Sequence, residues 1–183
     1  MRIPFVAYAD DCTVTGEIGL ETDRLADFLA STETFEVDGA AFQALDDGRV
    51  VEADSADILL EDLCLVAATG PRGQLERRLW TRQFPARVRL GPYTVSGYLH
   101  APPTIDPFKN MDRRSIVALT SSVLEFDMGG AVTRVDAEAV LLNRSKIDLL
   151  EPVGDAELRP STRPEMTVEL DPRSKDMTGE FYG

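Results

Sequence analysis

The chain has 183 residues, 43% of them hydrophobic, and a formal net charge of −13. That apolar content suffices for packed cores, while no apolar run approaches the roughly 18 residues a membrane helix needs. The amino terminus, Met1-Arg2-Ile3-Pro4-Phe5, meets Asp10 and Asp11 before an apolar leader core can develop, so a cytoplasmic protein without membrane attachment is expected.

Charge is unevenly spread. Residues 1–75 carry 16 acids against 4 bases, residues 76–153 carry 9 acids against 11 bases, and residues 154–183 carry 7 acids against 4 bases. The first stretch should repel a phosphate backbone, which speaks against nucleic acid as a partner. The second could meet an anion or an acidic surface. Cys12 and Cys64 are too far apart for a metal-type pair. They read as buried free thiols, with a disulfide between them left open. No cofactor-binding or metal-ligating pattern is present.

In chain order, Ile3 to Ala9 and Thr13 to Ile18 are expected to pair as a hairpin across the turn Asp10-Asp11. Leu25, Phe28 and Leu29 recur at helical spacing, and Thr22 can cap, so a short helix is expected over 22–31. Thr34 to Val37, Ala41 to Leu45 and Val50 to Ala53 read as strands divided by turns at Asp38-Gly39 and Asp46-Asp47-Gly48. Ile58 to Leu60 and Leu63 to Ala67 close the unit around Glu61-Asp62. Gly70-Pro71-Arg72-Gly73 reads as a linker.

The second part repeats the plan. Leu79 to Leu90 and Tyr93 to His100 flank the turn Gly91-Pro92, and a short helix is expected around 104–111, with Pro107 in its first turn. Ile116 to Asp127, Val132 to Val135, Ala139 to Leu142 and Ile147 to Leu150 follow as strands. Thr13-Val14-Thr15-Gly16-Glu17-Ile18 answers Thr94-Val95-Ser96-Gly97-Tyr98-Leu99, and later partners stay 80 to 82 residues apart. A period of that length is a whole small domain rather than a solenoid unit. The expected domains are therefore 1–70, a linker at 71–77, 78–152, and an extended tail at 153–183. Within the tail only Met166 to Leu170 alternates like a strand, and it is expected to add to a sheet edge.

Two strands joined by a tight turn, with a glycine inside the second, resemble the start of an Sm-like barrel, and Val140 to Leu150 resembles that family's closing pattern of strand, polar turn and strand. The resemblance implies two tandem small β-barrels, each with one short helix, in which Gly16 and Gly97 let a strand bend where a Cβ would obstruct. The family's RNA-binding residues are not matched: the loops after the glycine strands read Gly19-Leu20-Glu21-Thr22 and Ala101-Pro102-Pro103-Thr104.

No catalytic signature stands out. His100, the single histidine, is tied by no motif to a nucleophile or an acid. The densest chemistry is the basic run Arg77, Arg78, Arg82, Arg87 and Arg89, interleaved with Trp80 and Phe84. Guanidinium forks suit phosphates, and an indole can stack on a base. Arg78-x-x-x-Arg82 resembles the arginine pair of PilZ domains, whose further Asp/Asn, Ser and Gly pattern is missing here. The same run also suits a charged edge strand or a salt-bridge surface. The expectation is a non-enzymatic module that acts through protein–protein contacts or self-association, with Arg78, Trp80, Arg82, Arg87, Arg89 and His100 as ligand or interface candidates. The alternative is a sensor of a nucleotide or other small anion using those arginines.

Overall fold

The structure is a computed structural model that describes residues 1–22, 24–70, 80–109 and 115–158. The first hairpin forms as the alternation dictates: β1 (Arg2–Ala9) pairs antiparallel with β2 (Cys12–Gly19), Phe5 standing opposite Gly16. The helix α1 (Leu25–Ser31) follows, burying only Leu25 and Leu29. It starts later than the sequence suggests, because the Thr22 hydroxyl donates to the Arg24 carbonyl and does not cap the first turn.

Then come β3 (Thr34–Ala44) and β4 (Val50–Leu59), a single 3-10 turn at Leu60–Asp62, and β5 (Leu63–Ala67). Asp38-Gly39 is not a turn. β3 runs straight through it, in unbroken register with β4, Asp38 opposite Ser55 and Ala40 opposite Ala53. Against β2 it gains one residue between Asp38, opposite Glu17, and Ala41, opposite Thr15, and Gly39 lies in that stretch at φ +57°. A left-handed residue inserted in one strand is a bulge, and glycine adopts it without a Cβ clash.

The second part contains β6 (Arg82–Leu90), β7 (Tyr93–Ala101), β8 (Ile116–Met128), β9 (Ala131–Asn143), a 3-10 turn at Arg144–Lys146, β10 (Leu149–Pro152) and the short helix α2 (Asp155–Leu158). The alternation in β7 is complete, with Tyr93, Val95, Gly97, Leu99 and Ala101 buried in turn. The helix expected at 104–111 is absent over 104–109. That stretch makes turns, because the Asp106 carboxylate accepts from the Phe108 amide and competes with helical bonding. Residues 71–79, which hold the expected linker 71–77, residues 110–114 and residues 159–183, with the expected strand at Met166 to Leu170, lie outside the described residues.

All ten strands form one open antiparallel sheet in the order β10-β6-β7-β8-β9-β5-β1-β2-β3-β4. Two closed barrels are thus not what the chain builds. Closure of the first half would need β5 to pair with β4, and of the second half β10 with β9. Instead β5 gives its outer side to β9, with Leu65 opposite Leu142, Val66 opposite Leu141 and Ala67 opposite Val140. The remaining edges, β4 and β10, end the sheet.

This joint interlocks two cores. One buried cluster draws mainly on β6 to β9 yet includes Tyr8, Leu45, Cys64 and Leu65. The other draws on β1 to β5 yet includes Leu141. Tyr8, Tyr93 and Phe126 meet edge to face at centroid distances of 5.5–5.8 Å, a favoured arrangement for ring quadrupoles. The buried Tyr93 hydroxyl donates to the Ala9 carbonyl at 2.6 Å. Asn143 Nδ2 donates to the carbonyls of Leu60 and Leu63 at 3.1 and 3.0 Å, so the end of β9 satisfies the turn before β5.

Candidate functional site

An outer strand offers a row of backbone donors and acceptors to whatever lies beside it. β4 is the longer of the two, with ten residues against four in β10. Residues 50–55 are all exposed. Three of its apolar side chains lie open: Val50 and Val51 at about half exposure and Leu59 at 43%. Between them stand the exposed acids Glu52, Asp54 and Asp57.

The end of β4 opens into a cleft of about 500 Å³ between the β1–β2 turn and the 3-10 turn. Val14, Phe42, Ile58 and Leu63 form its apolar lining, and Asp10, Asp11, Asp57 and Asp62 its acidic rim. The Asp10 carboxyl is held below the usual carboxylate range by hydrogen bonds from Lys146 (2.9 Å) and Cys64 (3.1 Å). Burial, aided by Asp11, pushes the Cys12 thiol up to about 11, and burial with Asp10 pushes Cys64 up to about 12. Both cysteines are free thiols. The cleft therefore presents a rim of carboxylates and the protonated Cys12 thiol over an apolar floor, an environment suited to a guanidinium or ammonium on an aliphatic stem. Among the described residues no cluster of histidine, cysteine and carboxylate side chains is placed to hold a metal ion.

The residues singled out from sequence lie elsewhere. Arg82, Arg87 and Arg89 are on β6, at the opposite end of the sheet from β4, so the acidic half does not meet the arginine strand within the chain. The interior joint between the halves falls to β5 and β9 instead. Arg87 is engaged by Glu157 at 3.1 Å and Glu151 at 3.7 Å. The Arg82 guanidinium lies 5.6 Å from the Phe84 ring centroid, and Arg89 is exposed beside Leu149. Trp80 is 81% exposed, and Arg78 lies outside the described residues. Among the described residues of this group, Arg82, Arg87 and Arg89 are not brought together into an anion-sized cage.

His100 sits on β7 with Nδ1 3.2 Å from Thr81 Oγ1 and Nε2 2.7 Å from Thr120 Oγ1. Burial holds its pKa below the usual imidazole range, so it is a neutral link between neighbouring segments. Gly16 and Gly97 stand at matching places, opposite Phe5 and Ala86 and at register shifts against β3 and β8. A Cβ on Gly16 would lie 2.5 Å from Val37 Cγ1, and one on Gly97 2.8 Å from Ser122 Oγ.

Sequence reasoning missed the β4 edge, since it divided that strand at Ala53. The available signal was its run of alternating acids and small residues with no turn-forming glycine or proline between Val50 and Leu59. No helix of the described residues is long and apolar enough to cross a membrane. No protein-family model matches the chain, and neither a curated protein nor a solved structure is detectably similar to it.

Proposed function

We propose that this chain is a non-enzymatic binding module built from two copies of one Sm-like five-stranded unit, and that it takes an extended, basic segment of a partner protein along β4. The two-copy reading is supported by the strand order, which runs in both halves as the last strand of the half, then its first hairpin, then its second. It is supported further by bulges against β2 at Gly39 and against β7 at Ser121, which has φ +49°, each facing a strand glycine.

The observation that carries the binding reading is the ten-residue outer strand itself, apolar and acidic by turns and ending at an acidic cleft. Backbone pairing supplies affinity to an added strand, and the side chains beside it supply selectivity. Alternating basic residues would answer Glu52 and Asp54, which share one face of the strand, while the apolar residues between them would cover Val51 and Leu59 on the other.

The test uses a synthetic peptide of alternating arginine and valine, with a second peptide of equal charge carrying proline at alternate positions. Calorimetry should show binding of the first and not the second, since proline removes donors from a ladder. Glu52→Arg with Asp54→Arg should abolish it. Equal binding of both peptides, or indifference to the charge reversal, would refute strand addition.

A further inference from the structure

We propose that the two outer edges carry charge at the positions that would enter a neighbour's core, so that a second copy of this chain is excluded from joining it as its own halves join. The exclusion rests on the two-copy reading above and not on the peptide. Its test reads assembly mass, so the two fail separately.

The interior joint is the template. Tyr8 and Cys64, from the first half, are buried in the cluster built mainly by the second, and Leu141, from the second half, is buried in the cluster built mainly by the first. Register identifies their counterparts. Tyr8 stands three residues after Phe5, which faces Gly16; Arg89 stands three after Ala86, which faces Gly97. Leu65 pairs with Tyr8 as Leu149 pairs with Arg89, so Cys64, one residue earlier, corresponds to Asp148. Leu141 stands two residues after Ala139, the partner of Thr120 beside the Ser121 bulge. Asp57 stands two after Ser55, the partner of Asp38 beside the Gly39 bulge. Tyrosine, cysteine and leucine at the interior joint are thus arginine and two aspartates at the outer edges, all three exposed.

Suppose a second copy laid its β10 along β4 in the interior register. Asp57 would then face the side of Val88 and Leu150, inside the second half's apolar cluster. Arg89 and Asp148 would enter the first half's cluster from the other face of the sheet, so Asp57 and Arg89 could not pair. A charge buried without a counter-charge is strongly unfavourable. This holds for Asp148 too, whose carboxylate accepts only the uncharged Gly91 amide, at 3.0 Å, among the described residues, and inward-pointing charge is a known safeguard of outer strands against edge-to-edge pairing. The ties of the interior joint are missing too: Asn143 and Lys146 correspond to Leu59 and Asp62. Leu65 crosses as well, and its counterpart Leu149 keeps the apolar character and is 40% exposed, so the charge stands at Asp57, Arg89 and Asp148 and not at every position that crosses.

The experiment measures the mass of the full chain by light scattering in four forms. The unaltered chain should remain at its single-chain mass of 20.1 kDa over a wide concentration range. Asp57→Leu repairs only the β4 side, and Arg89→Tyr with Asp148→Ala repairs only the β10 side; each alone should stay single. Mixed, they should give a species of twice the mass, and all three changes in one chain should give longer multiples. Asp57→Ala and Arg89→Ala serve the same arms if a larger residue prevents folding. Multiples formed by the unaltered chain, or folded repaired chains that stay single when mixed, would overturn the proposal. Multiples formed merely by removing residues 159–183 would assign the block to that segment and overturn it equally.

Discussion

Lys146 Nζ lies 2.9 Å from Asp10 Oδ2, joining the 3-10 turn after β9 to the turn between β1 and β2. The pair spans the two halves at a point where the Asp10 carboxylate also accepts from the Cys64 thiol. It is a surface pair, and surface pairs typically contribute about 0–1 kcal/mol.

The pH dependence of this pair has a definite sign. The folded pKa of Asp10 is lowered, first by the hydrogen bond from Lys146. Its contribution is therefore present above the ordinary carboxylate value and is lost as pH falls through the lowered one. The folded pKa of Lys146 is raised, first by Asp10, so its share persists below the ordinary lysine value and is lost as pH rises through the raised one. Asp10→Asn should cost a few tenths of a kcal/mol to about 1 kcal/mol near neutral pH, and the difference from the parent should vanish in strong acid. Urea unfolding across pH measures it.

Asn143 carries more. Replacing it by alanine removes the donors to the Leu60 and Leu63 carbonyls, and a buried acceptor left unpaired costs about 1–3 kcal/mol. Asn143→Ala is expected to lower stability by about 2–6 kcal/mol, summed over the two carbonyls, and to affect both halves in one transition. Chemical denaturation followed by near-ultraviolet dichroism checks this; a loss below that of a surface substitution would contradict it.

The strand glycines allow a coupled test. Gly97→Ala meets Ser122 Oγ and the Thr120 carbonyl, while Ser122 Oγ itself is buried without a hydrogen-bond partner. Overpacking typically costs about 1–3 kcal/mol. Ser122→Ala alone should be neutral or stabilising, and combined with Gly97→Ala it should recover part of that loss. Gly16→Ala, which meets Val37 and a backbone carbonyl, has no such rescue at position 122. Melting temperatures of the four variants decide the matter; strict additivity at 97 and 122 would contradict the shared crowding.

The thiols give a fourth expectation. With Cys12 at about 11 and Cys64 at about 12, the thiolate fraction at neutral pH is far below that of an ordinary cysteine, and the thiolate is the reacting form. Ellman's reagent should label both slowly in the folded protein and rapidly in denaturant. Fast labelling of Cys64 in the native chain would contradict its burial.

Much of the strand content could be read from residue order, because a hairpin needs only two alternating runs and a turn. The β1–β2 and β6–β7 pairings, with their glycines, came from such local signals. Gly39 was misread because a glycine after an aspartate looks the same in a turn and in a bulge; only the partner strand distinguishes them. The helix at 104–111 failed through one Asp106 side-chain bond that periodicity does not register. The pairing of β5 with β9 was beyond reach, since Leu65 and Leu142 carry no local mark of each other. That single pairing opens the sheet, buries Leu141 in the other half's core and leaves β4 at the edge. The arginine run drew attention by density, yet its functional reading weakens once Arg87 is seen held by Glu151 and Glu157.

Backbone amide exchange along Val50–Leu59, in the free chain and with the alternating arginine–valine peptide, addresses the central claim most directly. Amides that point away from β3 should exchange fast in the free chain and become protected when the peptide is added, while those bonded to β3 stay protected throughout. Peptide that binds yet leaves the outward amides of β4 exchanging at their free rate would contradict the account.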